Sequence, residues 1–190
     1  MTVLWILFTA VGFSLHIFII MMRTGANQVN VGKKQLFKIA VVFSGIQLFM
    51  QCAGLFITWE MEQFRDAAIL KHLYRFVIFA ILIGIGGQRL RAAIIKEDSF
   101  SEHLEAPLTL SKISLISVNA GGIAVILGMN MYYYCHSVFA ALPVICLSVL
   151  SAFAGFSFGY WNGVTGERII SAVSGSMMAC LAASMILFAV

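Results

Sequence analysis

The chain alternates long apolar stretches with short polar ones. From about Thr2 to Met22 it holds no Asp, Glu, Lys or Arg, and a second apolar run extends from about Leu36 to Trp59. A third, from about His72 to Ile95, carries Arg75 near its start and Arg89 and Arg91 near its end. A helix needs about 20 such residues to cross the hydrocarbon, so each run predicts one transmembrane helix. From Ile113 to Gly166 no Asp, Glu, Lys or Arg appears, which is too long for one crossing. The chain is expected to turn at Tyr132, Tyr133, Tyr134, Cys135 and His136, aromatic residues of the kind that sit at headgroup level. The fifth run ends near Tyr160 and Trp161, and the sixth starts at Ile169. The pattern predicts an all-α membrane protein of six transmembrane helices. Its organisation is a three-helix unit over 1–95, a polar linker over 96–109 and a second three-helix unit over 110–190.

Composition narrows the class. Of 190 residues, 61% are hydrophobic and 11% charged, with a mean hydropathy of +0.97. Soluble domains carry roughly 25% charged residues, so a water-soluble fold is not expected. The net charge of +4 does not signal a nucleic-acid partner, because the basic residues flank apolar runs and form no single surface. They report topology instead. Arg23, Lys33, Lys34, Lys38, Arg89, Arg91, Lys96, Lys112 and Arg168 fall on one side, against Arg65, Lys71 and Arg75 on the other. The positive-inside rule then puts both termini outside the cytoplasm. The first run lacks a positive segment before it and reads as a retained span. Cys52, Cys135, Cys146 and Cys180 form no CxxC pair, so neither a zinc knuckle nor a thioredoxin-type site is signalled. No nucleophile, nucleotide-binding loop or cofactor motif points to an enzyme.

The two units align with one another. Ser14-Leu15-His16 matches Ser117-Val118-Asn119, and Gly25 then falls on Gly128. Ala53-Gly54 matches Ala154-Gly155, with Trp59 on Tyr160. Three spans per unit is an odd number, so the second repeat is expected to be inverted with respect to the first, as in many secondary transporters. Such proteins bind cargo near the midplane where corresponding helices meet, which directs attention to His16 and Asn119.

His16 is an ionisable side chain at membrane depth, the kind of residue that binds a metal, relays a proton or bonds to a neighbouring helix. Ser44, Gln47 and Gln51 recur at helical spacing on one face, and that face is expected either to line a polar path with His16 and Asn119 or to join helices. Softer donors lie near, at Met21, Met22, Met50 and Cys52, and suit soft ions as well as plain packing. Gly84, Gly86, Gly87, Gly121 and Gly122 are expected to allow close helix approach. Arg89 either snorkels to the interface or faces a vestibule.

Several segments together resemble a known family. They are GFSLHIFIIMMRTG in the first span, LFKIAVVFSGIQLFMQCAGLF in the second, FAILIGIGGQRL in the third and LTLSKISLISVNAGGIAVILG in the fourth. With the acidic linker, they resemble the small bacterial manganese efflux pumps of the MntP type, within the LysE-like exporters. The resemblance implies a multi-pass protein of the bacterial inner membrane that exports a divalent cation in exchange for protons. It also implies metal contacts at the positions of His16 and Asn119, where the family carries aspartates in a Ser-x-Asp motif. This chain departs there, and it has Gln51 where the family's second span often has proline. A hard cation is normally held by carboxylates, yet Glu60, Glu62, Asp66, Glu97, Asp98, Glu102, Glu105 and Glu167 all lie at span ends or in loops. Other cargoes therefore stay open, namely a softer metal or another small solute, as do a non-transporting scaffold and assembly with further copies of the chain.

Overall fold

The computed structural model describes residues 2–28, 32–63, 68–95, 109–135 and 141–187. Six helices account for nearly all of them: α1 Thr2–Ala26, α2 Lys33–Gln63, α3 Ala68–Ile94, α4 Leu110–Cys135, α5 Ala141–Asn162 and α6 Glu167–Leu187. Five of the six are long and apolar enough to cross a membrane over the described residues. The helix α6 falls outside that set and carries Ser171, Ser174 and Ser176 along its length. The protein is a multi-pass helical membrane protein. Its outward surface fits a bilayer, with Phe37, Phe49, Phe76, Leu115, Leu150 and Trp161 all exposed.

Local chemistry explains where helices start and stop. Pro143 sits in the first turn of α5, where a missing N–H costs no helical bond. Gly163 ends that helix at φ 65°, its N–H donating to the Gly159 carbonyl at 2.9 Å. Gly166, at φ 81°, precedes α6, whose first turn begins with Glu167, a charge suited to a helix N-terminus. One sequence expectation is corrected here. Tyr132 to Cys135 form the end of α4 and not a turn, because a helix continues more cheaply than it breaks in apolar sequence without glycine or proline. His136 and the connection to α5 lie outside the described residues, as does 96–108, nearly all of the expected linker.

The helices pack in pairs across the two halves: α1 on α5, α2 on α4, and α3 on α6. Glycines set each pair. A Cβ at Gly25 would overlap the Phe156 carbonyl oxygen, and one at Gly159 would overlap that of Met22. Likewise, Gly54 lies against the carbonyl of Val125, and Gly128 against that of Gln51. Gly86 meets the Gly175 carbonyl oxygen and the Ala179 nitrogen, while Gly175 meets the Gly86 carbonyl oxygen and the Leu90 nitrogen. Lipid tails give helices no hydrophobic reason to associate, so backbone approach of this kind supplies the van der Waals attraction that holds such a bundle.

These approaches correspond between the pairs. Gly25 on Phe156 has its counterpart in Gly128 on Gln51, and Gly159 on Met22 in Gly54 on Val125. The order of contacts makes α1 parallel to α5, because Phe18 meets Gly155 and Met22 meets Gly159. It also makes α2 parallel to α4, where Gln47 reaches Ser117 and Thr58 reaches Met129. In this comparison Gly25 stands against Gly128, the register in which the sequence sets His16 against Asn119. The Ala53-Gly54 dipeptide stands otherwise: by its close approach Gly54 compares with Gly159, one helical turn beyond Gly155.

Of the glycines singled out in sequence, Gly86 and Gly121 stand at close approaches, Gly121 beneath the Met50 side chain. Gly84, Gly87 and Gly122 would leave a Cβ in open space and serve no helix contact among the described residues.

Candidate functional site

His16 is 4% exposed, on the face of α1 that also carries Gly12. That face is covered by α6: Gly12 sits 3.4 Å from Met177, and the Ser174 hydroxyl approaches the Gly12 carbonyl at 3.5 Å. From α3, Arg89 reaches His16, with its terminal nitrogen 3.2 Å from Nδ1. A guanidinium only donates, so Nδ1 must accept and the imidazole proton must sit on Nε2. That Nε2 is buried and has no hydrogen-bond partner among the described residues. The site is thus a histidine whose tautomer is fixed by an arginine and whose buried N–H donor is unmatched.

Arg89 is half-buried and turned inward, which resolves the sequence alternatives in favour of the interior. Its role was the least legible from sequence. An arginine near a span end signals snorkelling, and only the spacing of Gly86 and Arg89 on α3 hints that this face meets other helices. At the same end of the bundle Arg23, at the end of α1, forms an ion pair with Glu167, at the start of α6. Both lie close enough to Arg89 to act on it electrostatically.

The expected polar line does not form as one constellation. Gln47 is 2% exposed and donates to the Ser117 carbonyl of α4 at 2.9 Å. Its Oε1, together with Ser44 Oγ and Gln51 Nε2, is buried without a partner. These three residues lie on α2 where it packs on α4, and no hydrogen bond joins them to His16. Asn119 is exposed, on the same outward arc of α4 as Leu115, Val118 and Gly122. The physical reason is helical phase: Asn119 stands two residues from Ser117, which is fully buried, and so projects away from the packed face. Ser14 and Ser117, the serines of the repeated motif, turn back onto their own helices, bonding to the carbonyls of Val11 and Ile113.

The metal reading fares accordingly. Among the described residues no group of three His, Cys, Asp or Glu side chains converges. Met21 and Met22 are core residues, and Cys52 is exposed on the outside. His16 offers a metal no lone pair, since Nδ1 is engaged by Arg89 and Nε2 carries the proton. Compared with family models, curated proteins and solved structures, the chain matches none of them.

Proposed function

We propose that this protein is a secondary transporter built from two inverted three-helix repeats, in which the packed α3–α6 pair exchanges between α1 and α4. One observation carries the reading: equivalent faces of the two repeats are in opposite states. Gly12 and His16 on α1 are covered by α6 and α3, whereas their counterparts on α4, Leu115 and Asn119, are exposed. Two halves of like build that differ in what covers them are what one state of an alternating cycle looks like. In the other state, α3 covers α4 as α6 now covers α1.

The reciprocal packing of α3 and α6 specifies the new contact. Gly86 corresponds to Gly175 and Leu90 to Ala179, so Gln88 on α3 corresponds to Met177 on α6. The present contact of Met177 with Gly12 is then replaced by Gln88 against Leu115, beside Asn119. That accounts for two polar groups, Gln88 and Asn119, standing exposed within apolar spans. Of the cargoes left open by the sequence, a small solute other than a hard divalent cation suits the site best, because a fixed guanidinium stands at His16 and repels such a cation. The MntP-type resemblance supports the fold and the exporter class more than it supports manganese.

Cysteine pairs test the exchange in a chain whose native cysteines are replaced. Gly12→Cys with Met177→Cys places two Cβ atoms within disulfide reach and should cross-link in the present state. Gln88→Cys with Leu115→Cys should cross-link in the same membranes if the exchange occurs. Formation of the first bond alone would mark a static scaffold.

A further inference from the structure

We infer that the contact between Arg89 and His16 is a proton-operated catch, in which the neutral imidazole holds α3 on α1 and a proton at Nδ1 bars α3 from it. The catch acts on the exchange proposed above and rests on that reading. One lone pair decides the matter. Nδ1 accepts from the Arg89 guanidinium at 3.2 Å, and an arginine in a protein does not give up its charge. A proton on Nδ1 fills that lone pair, makes the ring a cation with a donor at each nitrogen, and leaves Arg89 nothing to donate to. Two positive groups at this separation repel, and because His16 is buried, solvent screens little of the repulsion. The present contact and a protonated His16 therefore exclude one another. Among the described residues Arg89 is the charge that acts on the ring. The helix α6 brings Ser174 and Met177 to this face of α1, and α5 carries no histidine and no Asp, Glu, Lys or Arg. On α4 the one charged residue is Lys112, in the first turn, and the Arg23–Glu167 pair lies two turns further along α1.

The two helices make this contact part of the cycle. Arg89 rides on α3, which the exchange carries to α4, and His16 stays on α1. Once α3 and α6 have left, Nδ1 has lost its donor and the ring stands uncovered, as Asn119 now does on α4. An imidazole that water reaches takes up a proton near pH 6.5. When α3 returns, Arg89 claims the lone pair and the proton passes back to water. One proton is thus taken up as α3 leaves and shed as it returns. The equivalent position on α4 is Asn119, an amide without charge at any pH, so acid acts on the α1 contact alone. Because the proton binds only the exchanged state, that state gains share as pH falls.

Spin labels at Gln88→Cys and Leu115→Cys, in the full chain freed of its native cysteines and reconstituted in phosphatidylcholine, read the balance by double electron–electron resonance at about pH 8 and about pH 5.5. Acid should raise the ratio of short to long distances by up to about tenfold. His16→Gln keeps an acceptor for Arg89 but has no ionisable ring, so its ratio should be the same at both pH values. Arg89→Gln removes the second cation and should also lose the response. Glu167→Gln should retain it, which separates His16 from the carboxylate at that end of the bundle. Two populations whose ratio ignores pH overturn the catch and leave the exchange standing, and so does a response that survives in His16→Gln. A single long distance at both pH values overturns both. As a second measurement, site-resolved nitrogen NMR of His16 in the wild-type chain should show imidazolium at the lower pH in proportion to the short population. A neutral His16 beside a grown short population would overturn the catch even if no variant folds.

Discussion

The Arg89 guanidinium on α3 donates to Nδ1 of His16 on α1, across 3.2 Å, and so decides which imidazole nitrogen holds the proton. It takes the lone pair a metal would need, leaves a buried donor facing an unfilled demand, and ties the third span to the first without a backbone approach.

Manganese is the first prediction. In cells lacking their own manganese exporter, expression of this chain should leave intracellular manganese unchanged, and His16→Ala should behave as the wild type does. Elemental analysis after manganese challenge reads the outcome directly. A manganese level that falls with wild type and recovers with His16→Ala would restore the metal reading.

Glycine substitutions separate the packing residues from the bystanders. Gly159→Ala and Gly54→Ala force a methyl onto a backbone carbonyl and should each cost about 1–3 kcal/mol. Gly45→Ala, at a helical position open to the outside, should be neutral or stabilise by up to about 1 kcal/mol. Unfolding in mild detergent, followed by helical circular dichroism, ranks the variants.

Along α2 the two glutamines should differ. Gln47→Met removes a hydrogen bond to the Ser117 carbonyl and should destabilise by about 0.6 kcal/mol, the usual worth of such bonds in membranes. Gln51→Met removes a buried amide nitrogen that has no partner and should be neutral or slightly stabilising. The same unfolding measurement compares them, and a larger loss at Gln51 than at Gln47 would reverse the assignment.

The Arg23–Glu167 pair should contribute little to stability. Arg23 is well exposed at 48%, so Glu167→Gln should cost no more than about 1 kcal/mol. The same unfolding measurement reads the change, and a loss larger than that of Gly159→Ala would contradict it.

The bundle was largely legible because the bilayer imposes one rule on every span. Apolar runs located α1 to α3 and the end of α5 within a few residues. The site was less legible. His16 declared itself by being ionisable at membrane depth, but nothing in the sequence gives the phase of α4, so Asn119 looked equivalent although it faces outward. Arg89 was ambiguous for a similar reason, since a long side chain near a span end reaches either way and only the approach of α3 to α6 at Gly86 turns it inward. Register of the repeat likewise rested on short dipeptides, and the backbone approaches moved Gly54 from Gly155 to Gly159.

The exchange of the α3–α6 pair is tested most directly by distance. Spin labels at Gln88→Cys and Leu115→Cys, in a chain without its native cysteines and reconstituted in lipid, report the gap between α3 and α4 by double electron–electron resonance. Two populations are expected, one long as in the present structure and one short. A single long distance under every condition would contradict it and leave a rigid bundle that moves nothing.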